Sequence, residues 1–139
     1  MAGETGFTTA ILEDLHDHVL GVAAMSQPAG QYCALFIGDP LDGGAECTGT
    51  DYARESVTFG AAATVGQVIT SANSAIIDFG TAGSGGWGTV THFAIYSAIT
   101  DGTLLGTGEL SEARAIVATD PVKFNIGECK MISTRINPA

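Results

Sequence analysis

The stretch "EDLHDH" sets His16 and His18 among Glu13, Asp14 and Asp17, the residue types that bind a divalent metal. On a helix, residues two apart point to different faces, and zinc sites use histidines four apart, as in HExxH. The stretch therefore reads as a solvated helix face. Asp39, Asp42 and Glu46 in "GDPLDGGAE" lack the alternating ligand positions and closing glutamate of a calcium loop, and read as a turn. "GTAGSGGWG" has no Lys-Ser/Thr ending for phosphate, and no GxSxG supplies a hydrolase nucleophile. Cys33, Cys47 and Cys129 are odd in number, widely spaced and without a CxxC pair. Cys33 and Cys129 sit in apolar runs, as small buried hydrophobes do, so neither a disulfide nor a zinc site is expected. His92 alternates within "TVTHFAIY", pointing with Val90, Ala94 and Tyr96, and reads as hydrogen-bonded scaffold. The expectation is no catalytic residue, no cofactor and no metal ligand.

The elements that position these residues follow from periodicity. In "FTTAILEDLHDHVL", residues 7–20, Phe7, Ile11, Leu15 and Val19 recur at i+4, Leu12 and Leu20 widen the stripe, and Gly21 supplies a stop. Fourteen residues make a marginal helix alone, so this stripe must be buried against something. After it, short apolar or alternating runs are divided by turn signals. They are "QYCALFIG", "YARESVTFG", "GQVITSAN", "SAIIDFG", "TVTHFAIYSA", "DGTLLGTGEL", "ARAIVATD", "VKFNIG" and "CKMISTRI". No gap is long enough for the helical crossover of a parallel sheet. The pattern predicts a mainly β chain: an antiparallel, jelly-roll-like β-sandwich with one short N-terminal helix. Residues 1–139 form one domain, with a helical segment over 1–24 and the sandwich over 25–139.

Composition narrows the partners. Fifteen acidic residues against five basic ones give a formal charge of −10, which disfavours nucleic acid and anionic lipid. The acidity serves solubility or a docking surface for a basic patch on another protein. No run of eighteen apolar residues spans a membrane, and the acidic N-terminus does not read as a secretory signal. A soluble chain made in the cytoplasm is expected. Trp87, the single tryptophan, follows two glycines. It either caps the end of the sandwich or stands exposed as an anchor for another subunit or a sugar ring.

The order "ILEDLHDHVLG", "QYCALFIGDPLDGG", "YARESVTF", "WGTVTHFAIYSA" and "GTLLGTGEL" resembles a family of small bacteriophage virion proteins described as tail-fibre-like or Gp80-like. The resemblance runs over residues 7–110 and rests on "YAR" and "WGTVTHFAIY" together. Cys33 and Cys47 depart from it, as does the wording of "GECKMISTRINPA". The family has no known catalytic residues, so the resemblance implies a virion structural protein on a β-sandwich. The function expected first is a capsid decoration, or cement, protein that docks on the phage major capsid protein as a homotrimer. The alternative is a tail-fibre or baseplate component that binds a host surface glycan. The expected interface residues are Phe7, Ile11, Leu15, Val19 and Trp87, with no nucleic-acid or membrane partner, in a virion assembled in the host cytoplasm.

Overall fold

The computed structural model describes residues 1–135 and is mainly β with one helix. In chain order the elements are β1 (Gly3–Phe7), α1 (Thr9–Val19), β2 (Tyr32–Ile37), β3 (Ala45–Glu46), β4 (Glu55–Ser56), β5 (Ala63–Val65) and β6 (Val68–Ala72). These are followed by β7 (Ile77–Thr81), β8 (Gly88–Tyr96), β9 (Leu104–Ile116), β10 (Pro121–Phe124) and β11 (Cys129–Thr134). A nine-stranded sheet runs β3-β2-β8-β9-β1-β11-β6-β5, with β4 also on β2, and β7 and β10 form a second, two-stranded sheet.

The large sheet closes on itself. Segment 55–60 pairs with β2 on one edge, where the Val57 N–H donates to the Gln31 carbonyl at 2.8 Å. Its later residues pair with β6 on the opposite edge through the Phe59–Asn73 bridge and the Gly60 N–H to Ala72 carbonyl bond of 2.8 Å. Closure removes the unpaired edges that would otherwise recruit another strand. The β7–β10 pair packs on the inner face, where Phe124 meets Phe93 at a ring-centroid distance of 5.5 Å. The result is sandwich-like, with unequal layers rather than the matched sheets of a jelly roll.

One core fills the space between the layers. It holds Cys33 and Leu35 of β2, Phe93 and Ile95 of β8, Ile77 and Phe79 of β7, Val122 and Phe124 of β10, and Cys129 and Met131 of β11. A smaller cluster on the outer face joins Ala34, Phe36 and Ala94, flanked by Tyr96 and Leu104. Asn73 is the buried polar pin of the second half. Its Nδ2 donates to the Ala75 and Asn125 carbonyls at 2.8 and 2.9 Å, and its Oδ1 accepts from the Cys129 N–H at 2.9 Å. All its polar atoms are matched, which is what burying an amide requires.

Four expectations are corrected. The segment 1–24 is not wholly helical, because Gly3–Phe7 form a strand between β9 and β11, antiparallel to the first and parallel to the second. That makes β1–β11 the parallel pairing in an otherwise antiparallel set. Local sequence gives little sign of it. "GETGF" becomes a strand because both neighbours offer free edges and because small residues let it in: a Cβ at Gly108 would collide with the Glu4 backbone. The helix therefore starts at Thr9, where the Thr8 hydroxyl accepts from the Ile11 N–H at 3.4 Å as the N-cap. It ends where Gly21 turns to φ +79°, with the Val22 N–H on the Asp17 carbonyl and the Gly21 N–H on that of His18. This is the Schellman arrangement.

Second, "GTLLGTGEL" and "ARAIVATD" are not separate strands but parts of the thirteen-residue β9. Third, the pairing of β8 with β9 slips between Val90 and His92. The slip turns Val90 into the main core, away from the face that His92 shares with Phe36 and Ala94. "YARESVTFG" supplies a two-residue strand and a bridge in place of a long strand. The strand expected over 129–136 is observed at Cys129–Thr134, and Ile136 lies outside the described residues.

Candidate functional site

The motifs that carry the resemblance meet at one place. Tyr52 of "YAR" lies between Trp87, edge-on at 5.4 Å, and Phe79, stacked at 6.4 Å. Its hydroxyl accepts from the Leu35 N–H and donates to Glu46 Oε2, both at 2.9 Å. Arg54 reaches the same carboxylate with two parallel bonds, Nε to Oε2 at 3.0 Å and Nη2 to Oε1 at 2.9 Å. Its Nη1 donates to the Ala98 and Asp101 carbonyls at 3.0 and 2.8 Å, and the guanidinium lies 3.8 Å over the Tyr96 ring. One arginine thus ties the loop after β3, the strand β8 and the β8–β9 turn together.

The electrostatics are those of a clamp. Burial pushes the Tyr52 hydroxyl far above its ordinary range, against the bond from Leu35 and with help from Glu46, so it stays a protonated donor. The bond to Glu46 raises Arg54, against some desolvation, and a guanidinium charged at every accessible pH remains so. Burial also raises Tyr96, although the Arg54 charge opposes it. Chemically the arrangement can hold loops together.

Trp87 completes the clamp. Only 3% exposed, it donates from Nε1 to the Thr50 carbonyl at 2.8 Å. This corrects the expectation of an interface tryptophan: the indole is filled by its own fold. The glycines before it serve the turn, since Gly86 has φ +68° and a Cβ there would strike the Ile116 carbonyl.

The remaining sequence candidates stay apart. His92 is half-buried, and its Nδ1 lies 2.8 Å from the Thr91 hydroxyl, which accepts from the Gly38 N–H at 2.8 Å. Asp39 Oδ1 caps the turn by accepting from the Leu41 N–H at 2.9 Å, while Glu46 belongs to the clamp. His18 Nδ1 accepts from the Met25 N–H at 3.0 Å, and His16 stands exposed on the helix. No group of three ligand-type side chains converges among the described residues. The three cysteines are free thiols and buried. Burial raises the Cys33 thiol well above its ordinary range, with Cys129 beside it adding to the rise, and burial with the nearby Glu46 charge lifts Cys47 to about 11. No helix among the described residues is long and apolar enough to cross a membrane.

The family model for Gp80, described as podophage GP4 fiber I protein gp80, matches residues 6–132. The chain belongs to the Gp80 family. It is thus a phage virion structural protein of a fibre family. A search of curated proteins gives no significant match. The Gp80 match spans every residue of the clamp.

The helix is one of the surfaces on which this Gp80-family chain leaves apolar side chains exposed. None of its residues is buried. Ile11 packs against the core from the edge, whereas Phe7 is 41%, Leu15 43% and Val19 70% exposed, with Leu12, Leu20 and Val22 beside them. Four of the five expected interface residues, Phe7, Ile11, Leu15 and Val19, therefore lie together at one end of the sheet. Between this helix, the 25–31 linker and the strand ends lies a cleft of about 310 Å³ lined by Phe7, Ile11, Met25, Phe59, Leu105 and Met131. Sequence reasoning found the stripe but not the clamp. The one available signal was the "YAR" wording itself, since Arg54 reaches partners 44 and 47 residues away.

Proposed function

We propose that the chain is an assembly module of the virion's fibre apparatus, made in the host cytoplasm and added during assembly, that works by adhesion and not catalysis. The observation that carries this reading is the division of labour among its side chains. Tyr52, Arg54, Glu46 and Trp87 are spent on the fold, while Leu12, Leu15 and Val19 of a well-capped helix face solvent. An eleven-residue helix is too short to persist on its own propensity, so a stripe this exposed suits a surface that a partner completes. The family description as a fibre protein supports the fibre apparatus over the head. Capsid decoration, placed first on sequence grounds with the major capsid protein as partner, shares the acidic charge and the apolar helix but lacks that support.

Glycan recognition fits the geometry less well. A sugar platform needs an exposed aromatic ring; Trp87 is buried, Tyr96 lies beneath Arg54, and the exposed Phe7 borders the apolar cleft beside the helix. The module is better suited to join virion parts than to meet the host. Self-association, with a trimer as the expected form, belongs to the same proposal, as does the exclusion of nucleic acid and lipid by a net charge of −10. Quantitative mass spectrometry of purified virions, separated into heads and tails, tests it. The chain is expected in the tail fraction at a stoichiometry set by tail symmetry. Recovery with the heads, in proportion to capsid subunits, would restore the decoration reading.

A further inference from the structure

The seam of the large sheet closes only as far as Gly60, whose N–H donates to the Ala72 carbonyl. Beyond it, β5 and β6 leave the body as a hairpin. Val65 pairs with Val68 across a turn in which Gly66 takes φ +63° and Gln67 keeps a negative φ, the type II′ pattern of a two-residue loop. Every residue from Ala61 to Ile69 is exposed, so both faces of this ribbon meet solvent. Val65 stands 81% exposed at its tip. A two-stranded ribbon has little stability by itself in water.

The ribbon ends the sheet. β5 has β6 on one side and no strand on the other among the described residues. In a two-residue hairpin the residues flanking the loop form the hydrogen-bonded pair, so Thr64, one step further, turns its N–H and C=O outward. Natural edges are guarded by Lys, by inward charges or by proline. β5 is short, but residues 56–77 contain no Asp, Glu, Lys, Arg or Pro. Arg135, whose N–H donates to the Gln67 carbonyl, follows β11 on the other side of β6, away from the open edge.

An open row of backbone donors and acceptors is completed by another extended strand. Symmetry and charge say whose. Antiparallel pairing about a two-fold axis is self-complementary, because each copy offers the same Thr64 N–H and C=O to the other. The chain carries a charge of −10, so most approaches between copies set acid against acid, whereas this ribbon brings no acid to the contact. A basic partner finds no carboxylate there to pair with. We infer that two copies of this chain join through β5, edge to edge and antiparallel about an axis at Thr64, in a continuous sheet β6-β5-β5-β6. Thr64 then faces the partner's Thr64, a favourable cross-strand pair, and each Val65 lies beside the partner's Ala63. The contact supplies the self-association of the assembly reading above, and rests on that reading for its role in the virion. It closes with two chains, so a trimer would need a further surface.

Sedimentation equilibrium of the full-length chain over a dilution series, at about 0.05 M and about 0.5 M NaCl, tests the contact. The unaltered chain should form a dimer that salt leaves intact or strengthens, since screening relieves the repulsion of two acidic bodies. Thr64→Pro removes the outward N–H of both copies at a position facing away from β6, and should weaken the dimer at least about tenfold. Thr64→Glu opposes two carboxylates across the axis and should weaken it as much at low salt, with partial recovery at high salt. Thr64→Ala should dimerise like the unaltered chain. Thermal melts confirm folding, and if the proline disturbs the hairpin the glutamate variant decides. A monomeric unaltered chain, or self-association that persists undiminished in a folded Thr64→Pro or Thr64→Glu variant, would overturn the inference. So would a monomer that binds virion particles only when β5 is intact, which would give the edge to a strand of another virion protein. Absence of the chain from purified virions would instead remove the assembly reading and leave the β5 dimer standing.

Discussion

Replacing Arg54 by Ala removes two charge-assisted bonds to Glu46, the stacking on Tyr96 and two bonds to the β8–β9 turn. The Arg54 side chain is 9% exposed and that of Glu46 26%, so the pair is shielded but not dry. The Ala98 and Asp101 carbonyls sit at a surface turn where water can replace the donor at small cost. The carboxylate is the larger loss, because Glu46 keeps only Tyr52 as a partner. Charged hydrogen bonds contribute about 1.5–3 kcal/mol and a partly exposed cation–π contact about 0.5–1, so the variant should lose about 3 kcal/mol. For a chain of this size that lowers the melting temperature by on the order of 10 °C. Arg54→Lys keeps the charge but loses the planar fork, and should cost about half as much. Urea unfolding of Arg54→Ala, Glu46→Gln and the double variant measures the coupling directly. The two single losses should not add, with a coupling of at least about 1 kcal/mol. Additive losses, or an Arg54→Ala variant within about 0.5 kcal/mol of the unaltered chain, would refute the clamp.

Trp87→Phe should cost about 1–2 kcal/mol, through the lost bond to Thr50 and a smaller ring in a filled site, while leaving assembly into virions intact; a folded variant that fails to assemble would return Trp87 to an interface. A thiol reagent at pH 8 should find no reactive cysteine in the native protein and three after denaturation, since all three are buried and Cys47 is lifted to about 11; fast labelling of the native protein would contradict that burial. Burial first, and then the Asp78 charge, raise Glu55 above its ordinary value. A carboxyl raised on folding favours the folded state below its unfolded pKa and loses that contribution as pH rises through the folded value. Glu55→Gln should therefore raise the melting temperature at pH 7 relative to the unaltered chain and lose that gain near pH 4. A gain independent of pH would show that the charge is not the cause.

The sequence displayed those elements whose signal is local. The 3.6-residue stripe of α1 and its Gly21 stop were readable, as were the apolar runs of β2, β8 and β11, because burial sets period and length within a few neighbours. What it hid was set by distant partners. β1 is a strand because β9 and β11 hold it from either side, not because "GETGF" favours extension. The slip between Val90 and His92 reversed the face assigned to Val90, since one irregular step inverts every side chain beyond it. For the same reason the clamp was invisible: Arg54 reads as a lone surface cation until the β8–β9 turn comes beneath it. The helix stripe was expected to be buried against something, and in the fold only Ile11 packs on the core while Leu12, Leu15 and Val19 stay exposed.

A density map of the intact virion at side-chain resolution tests the central claim most directly. It is expected to place the chain in the fibre apparatus, with Leu12, Leu15 and Val19 covered by a neighbouring virion subunit. A chain spread over the head lattice, or one whose helix stripe faces solvent in the assembled particle, would contradict it.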